Sequence, residues 1–474
     1  MVTKLASSTV SNSASLRKVL AAINATPPAG IAFVLDAQNK LCGVVTDGDF
    51  RRWLLEGCNL DDSLKDISLN QFVHATAGES LEEIISRTND KIRIIPIVND
   101  QFELVDYIQI DKRMHLPVAV PDLNQGNELK YLTDAFLSSW ISSQGAYINR
   151  FEEEFAAYCG VREGVATANG TVAIHLALTA LGVGKGDEVI VPDLTFAATI
   201  NAVLHAGATP VIVDVNLDDW CISVEEIKKA ITPKTKAVIA VHLYGQPCEI
   251  DAIKALCESH RLFLIEDAAE AHGAAYKGQK VGSFGDIATF SFFANKVITT
   301  GEGGMCITDS TELAERMRIL RDHGMNKQKR YWHEEVGFNY RMTNMQAAIG
   351  CAQLERIEPI ITYRNELEEA YKEQFEATNL FTFQKKLPDR EKTVWLVSAL
   401  YEQEDKTAFM KLMRSNGIDV RPFFYPLSAM PIYTPYSFSN INSHLLSAKG
   451  LSFPTHWSVE VGKVAKALRQ FTES

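Results

Sequence analysis

The sequence predicts an α/β protein: a mainly parallel sheet covered by helices, a small C-terminal domain, and an α+β module at the N-terminus. Three observations lead there. From Val165 to Asp267, short apolar runs alternate with stretches of helical length, the period of βα units. Two apolar runs deliver polar groups: Leu262–Ile265 stops at Glu266-Asp267, and Ile287–Phe293 leads to Lys296. Residues 16–112 instead carry a weak internal duplication of two short strands and a helix.

Composition bounds the function. With 474 residues, 46% of them hydrophobic, the chain can bury the cores of two or three domains. A net charge of −12 and a pI near 5.5 argue against a nucleic-acid surface. Met1–Ser15 lacks the apolar core of a secretory leader, and no run reaches membrane-spanning length. The eight cysteines include no Cys-x-x-Cys pair and sit mostly in apolar segments, as Cys306 and Cys351 do. They read as reduced, buried thiols of a cytoplasmic protein. His242 and His272 share no ligand spacing with other His or Cys, so no metal is expected.

The N-terminal stretch reads as strands at 31–35 and 41–45 and a helix at 50–56. A capping box, Ser80-x-x-Glu83, then precedes strands at 94–98 and 104–108. This resembles a tandem CBS pair over residues 1–112. Gly43, Thr46 and Asp49 match a pattern that, in that family, places Thr and Asp on a nucleotide ribose. The second half keeps Asp111 but no equivalent Ser or Thr. The resemblance implies at most one adenine-nucleotide site; a module that binds nothing is the alternative.

Residues 113–125, with Pro117 and Pro121, read as a linker. A large domain is expected over 126–361. Its βα period gives helices at 172–181, 195–205 and 251–260, and strands at 188–192, 210–215, 236–243 and 262–267. Ser223-x-x-Glu226 reads as a second capping box. Beyond Thr308 an amphipathic helix is expected over 311–322 and one long helix over 344–361. Residues 362–474 form the small C-terminal domain. No Gly-x-Gly-x-x-Gly occurs, so a nicotinamide-binding domain is not supported.

An Asp and a Lys delivered by buried strands suit pyridoxal phosphate (PLP). Lys296 would bond the cofactor's aldehyde carbon, and Asp267 would keep its pyridine nitrogen protonated. Read singly, such an Asp is as readily a cap and such a Lys a solvated charge. Gly170 and Thr171 begin a helix, where backbone N–H groups and the dipole favour a phosphate; a plain N-cap is the other reading. Ser291 can reach the same anion or be an ordinary strand residue. Phe196, at a strand-to-helix turn, can stack on a pyridine ring or belong to the core.

Together the residues resemble the DegT-class sugar-nucleotide aminotransferases, a branch of the type I PLP fold, over roughly 126–430. The motifs are Gly186–Pro192, Glu266-Asp267, the Lys296 segment and Gly337–Met342. His242–Pro247, Ser291–Lys296 and Tyr331-Trp332-His333 bring the match nearest to perosamine-type members. The resemblance implies Lys296 and Asp267 as catalytic groups and Gly170, Thr171 and Ser291 on the phosphate. It places Phe196 at the ring and Glu270 near the ring hydroxyl, where many relatives carry Gln. Asn339 would reach the phosphate of a second subunit, which implies a homodimer. Dehydratase relatives carry His where Lys296 stands, so transamination is expected. The substrate implied is a nucleotide-linked 4-keto-6-deoxy sugar, the GDP-linked mannose derivative ahead of UDP- or dTDP-sugars, with glutamate as amine donor. A nucleotide- or PLP-responsive regulator on the same fold is the alternative; it would carry a basic or helix-turn-helix domain, which is absent here.

Overall fold

The computed structural model describes residues 7–24, 30–67, 69, 72–80, 83–84, 87, 92, 94–109, 116–123, 125–326, 328–376 and 378–472. The chain divides into two compact units, Met1–Arg113 and Met114–Ser474. Among the described residues no helix is long and apolar enough to cross a membrane.

The first unit contains β1 (Thr9–Ser11), α1 (Leu16–Asn24), β2 (Ile31–Leu35), β3 (Leu41–Thr46) and α2 (Asp47–Leu55). Then come β4 (Ala75–Thr76), β5 (Ile94–Val98) and β6 (Leu104–Gln109). Each triplet has one topology: its first strand pairs parallel with the second, which pairs antiparallel with the third. The duplication is therefore a repeated fold. β1 and β4 escape sequence reading because three and two residues show no period. A Cβ on Gly43 would lie 2.3 Å from Leu69 Cδ1, so this glycine serves packing. Thr46 caps α2: its Oγ1 accepts the Asp49 N–H, and Asp49 Oδ2 accepts from the Thr46 N–H and hydroxyl at 3.1 and 2.7 Å. The Ser80–Glu83 box also forms. Asp111 lies outside the described residues.

In the second unit, α3 (Glu128–Leu137) and α4 (Ala146–Cys159) precede β7 (Glu163–Thr167), α5 (Gly170–Ala180), β8 (Glu188–Pro192) and α6 (Ala198–His205). Next are β9 (Thr209–Val213), α7 (Val224–Ala230), β10 (Thr235–Val241), α8 (Ile250–His260) and β11 (Phe263–Asp267). A hairpin of β12 (Ala275–Tyr276) and β13 (Gln279–Lys280) leads to β14 (Ile287–Ser291) and β15 (Gly304–Thr308). The main sheet has the order β7-β15-β14-β11-β10-β8-β9; only β15 runs against its neighbours. Alternation along the strands splits the core. Val189, Val191, Ile239 and Ile265 face one cluster, while Ile190, Val238 and Ala240 face the other. Each such buried Val or Ile side chain contributes about 1.5–3 kcal/mol.

The chain continues through α9 (Thr311–Arg321), α10 (Asn344–Leu354), α11 (Ile357–Glu376), β16 (Phe381–Phe383), β17 (Arg390–Glu391) and β18 (Val397–Tyr401). It closes with α12 (Lys406–Ser415), β19 (Arg421–Pro422), α13 (Ile441–Lys449), β20 (Gly450–Phe453) and α14 (Val461–Thr472). β16, β18, β20 and β19 make a four-stranded antiparallel sheet.

Three expectations need correction. The long helix over 344–361 is two helices, α10 and α11. Pro359 falls in the first turn of α11, where its missing N–H costs nothing, and so marks a start rather than an interior. Ser223 makes no side-chain cap; its N–H, which a capping box would give to Glu226, donates instead to Asp214 O at 3.1 Å, and the Glu226 carboxylate meets Lys229 at 2.7 Å. The expected linker packs over 116–123 instead of running free. Leu116 is buried among C-terminal residues and bonded through Gly417 and Asp419, and Asp122 pairs with Arg356 at 3.0 Å.

Candidate active site

The carboxyl ends of β7, β8, β10, β11 and β14 converge on one cavity of about 570 Å³. In open parallel sheets this edge is where the chain leaves strands for loops and can gather side chains from many segments. Seven of the eight predicted residues line it: Gly170, Thr171, Phe196, Asp267, Glu270, Ser291 and Lys296. Asn339 does not; it is exposed, and its Oδ1 accepts from Arg341 Nε at 3.0 Å.

Asp267 is the last residue of β11 and is 4% exposed. Its Oδ2 accepts from the Thr199 hydroxyl at 2.9 Å and its Oδ1 from the Ala269 N–H at 3.2 Å. Burial raises its pKa above the ordinary carboxylate value, while these bonds and the nearby Lys296 charge oppose the rise. Its neighbour Glu266 points to the other face of the strand. It accepts the N–H groups of Gly282, Phe284 and Gly285, each at 2.8 Å, and His242 Nε2 at 3.1 Å. Burial pushes Glu266 up, but His242 and the amides outweigh it and hold the carboxyl below its usual range.

Lys296 lies in a tight turn after β14, with its N–H bonded to Phe293 O. Nζ stands 4.0 Å over the Trp395 ring and 3.9 Å from Glu270 Oε1. Burial lowers the lysine pKa against the pull of Glu270 and Asp267. Glu270 is pushed up to about 7 by burial, with Lys296 opposing. His272, enclosed by Phe155, Phe290 and Phe292, is pushed down to about 3, chiefly by burial, and is neutral. The cavity thus presents an amine and a carboxyl that both titrate toward neutrality, beside a second buried carboxyl.

At the opposite wall Asn169 caps α5, accepting the Val172 N–H at 3.1 Å, which leaves the Gly170 and Thr171 N–H groups at the helix mouth. A Cβ on Gly170 would stand 2.8 Å from Ser291 Cβ, so only glycine lets that serine sit beside the mouth. Phe196 is 59% exposed and meets Phe424 at 5.8 Å; it is wall, not core.

Sequence reasoning missed Thr199, Trp395 and Phe424, all in the cavity lining. Thr199 had a usable signal, one helical turn after Thr195. Trp395 and Phe424 arrive from distant parts of the chain, and nothing local marks them.

The donor set fits PLP: amides and a hydroxyl for the phosphate, an aromatic face, a buried carboxylate for the ring nitrogen and an amine of lowered proton affinity. Fold and site define a PLP-dependent enzyme of the type I fold.

The sequence pattern of the DegT/DnrJ/EryC1/StrS aminotransferase family matches residues 123–471, and that of a CBS domain matches residues 1–56. The GDP-perosamine synthase of Vibrio cholerae is 44% identical over 349 residues, 72% of this chain and 94% of that protein. The GDP-perosamine synthase of Escherichia coli O157:H7 is 43% identical over 361 residues, 75% of this chain and 98% of that protein. Among solved structures, the aminotransferase from Psychrobacter cryohalolentis superposes with a TM-score of 0.69 at 31% identity, over 75% of this chain and 98% of that one. The PLP form of the putative sugar aminotransferase Spr1654 from Streptococcus pneumoniae gives 0.71 at 27% identity, over 76% and 98%. The chain belongs to the DegT/DnrJ/EryC1/StrS aminotransferase family. It is a PLP-dependent sugar aminotransferase with a CBS domain at its N-terminus.

Proposed function

We propose that the chain moves an amino group from glutamate to the 4-keto carbon of GDP-4-keto-6-deoxymannose, giving the 4-amino sugar and 2-oxoglutarate. The observation that carries this is the match to two GDP-perosamine synthases over nearly their whole length. A lysine, not a histidine, at position 296 supports transamination.

PLP, when bound, supplies an electron sink and holds the amino group between the two halves of the reaction. The residues divide the remaining work. Gly170, Thr171 and Ser291 bind the phosphate. Phe196 offers its exposed face to the ring. Asp267, fixed by Thr199, holds the proton on the ring nitrogen. Lys296 Nζ would anchor the cofactor at rest and, as a free amine, would take the proton from the donor's Cα. Glu270 holds a proton near the ring oxygen.

Asn339, exposed and steadied by Arg341, is proposed to reach the phosphate of a second copy's site, so the active unit is a homodimer. Asn339→Ala then lowers PLP retention in dialysis without unfolding the protein. A fully active monomer in sedimentation contradicts this part. The N-terminal module is proposed to take one adenine nucleotide, with Thr46 and Asp49 exchanging their mutual bond for ribose hydroxyls. Calorimetry of the full chain with ATP and AMP tests that; no heat leaves the module a structural role.

The substrate is tested by incubating the protein with glutamate and a panel of GDP-, UDP- and dTDP-linked 4-keto sugars, read by mass spectrometry. The GDP sugar alone is expected to exchange its keto oxygen for an amino group. Turnover confined to a UDP or dTDP sugar overturns the assignment.

A further inference from the structure

The turn that follows β10 holds a buried, bulky residue in the left-handed region. Tyr244, fully buried at 2% exposure, has φ 51° and ψ 26°. Bulky residues hold this left-handed conformation only where their surroundings enforce it. Gly245 follows with φ 86°, and a Cβ there would stand 1.6 Å from Thr393 O. The Thr393 N–H returns a bond to Gly245 O at 3.2 Å. The turn is thus clamped to the segment that carries Trp395.

The left-handed residue aims its amide into the active site: the Tyr244 N–H donates to Glu270 Oε2 at 2.8 Å, leaving Oε1 toward Lys296. Its ring does a second job. It lies nearly parallel to Trp395 (15°, 6.0 Å) and to Phe424 (10°, 5.7 Å), both of which line the cavity. Trp395 is the shelf under Lys296 Nζ. Two residues earlier, the His242 N–H bonds Asp267 O at 3.1 Å. His242 Nδ1 accepts the Cys248 N–H at 3.0 Å, which fixes the ring proton on Nε2, toward Glu266.

We propose that Tyr244 is a positioning residue for the transamination, one side chain and one amide that together set the carboxyl of Glu270 and the ring of Trp395 on either side of Lys296. This rests on the reading of the cavity as a PLP site. The charged groups facing Glu270 are Lys296 and Asp267; Glu302 also lines the cavity, and neutral His272 lies nearby.

Removing the ring opens the shelf, admits water beside Glu270 and lets that carboxyl ionise more readily. An anionic Glu270 then holds the proton on its cationic neighbour to higher pH. The readout is the pH midpoint of the visible absorption band of the bound cofactor, independent of turnover. Tyr244→Gly keeps the amide and the left-handed turn but drops the ring; Tyr244→Asn is a second such variant, of a type that tolerates positive φ. Both are expected to raise the midpoint by about one pH unit. Tyr244→Phe, which keeps the ring, restores the wild-type midpoint. In a Glu270→Gln background Tyr244→Gly no longer shifts it. Cofactor bound with an unchanged midpoint in both ring-deleted variants, or a shift that persists without Glu270, overturns the proposal. A wild-type protein that takes up no PLP refutes the cofactor reading instead, so the two failures are distinct.

Discussion

Lys296 and Glu270 sit 3.9 Å apart in a corner where burial works against both charges. For Glu270 the sign follows from linkage. Its folded pKa, about 7, lies above the ordinary 4.5, so the unfolded chain releases the proton first as pH rises. The cofactor-free protein therefore loses stability from this residue between those two values, by up to about 3 kcal/mol. Glu270→Gln is expected to raise the melting temperature more at pH 8 than at pH 5; an equal effect at both pH values removes Glu270 as the titrating group. At this scale the sequence was informative where chemistry ends an apolar run. Asp267 and Lys296 stood out because each follows a buried apolar run, Asp267 at the end of β11 and Lys296 in the turn behind β14, and both line the cavity. Trp395 was not, because its meaning comes from a contact spanning roughly a hundred residues of chain, which no local pattern encodes.

At the scale of the element, the decisive unit is a strand end with the turn behind it. β8, β11 and β14 were readable from their apolar runs, and their boundaries fall within a residue or two of expectation. The break between α10 and α11 was misread because apolar periodicity carries across it, while the helix start at Pro359 depends on the first turn not needing its N–H. The Ser223 box failed for a different reason: a capping pattern states what can bond, and here Asp214 O takes the Ser223 N–H. α5 yields a prediction. Gly170→Ala must displace Ser291, whose Cβ leaves no room. It is expected to weaken PLP retention about tenfold, equivalent to about 1.4 kcal/mol, with little change in melting temperature of the cofactor-free protein. Unchanged retention in equilibrium dialysis removes the phosphate role of this helix mouth.

For the whole molecule, the boundary between units matters more than a composition shift suggested. Pro117 and Pro121 look like a linker, yet Leu116 is buried and Asp122 holds Arg356. A fragment of residues 114–474 is expected to keep aminotransferase activity, while one starting at 126 melts lower. Losing Leu116 from its core alone forfeits about 2–5 kcal/mol. Equal melting temperatures for the two fragments contradict this assignment. The fold class was legible because alternation of strand and helix is repeated many times and errors at single boundaries do not accumulate.

The catalytic reading depends on one residue bonding the cofactor. Borohydride reduction of the PLP-loaded protein, followed by peptide mapping, tests it directly. The account predicts loss of the visible band and a single pyridoxyl label on Lys296, with none recovered in Lys296→Ala. A label on any other lysine, or full labelling of the Lys296→Ala protein, contradicts it.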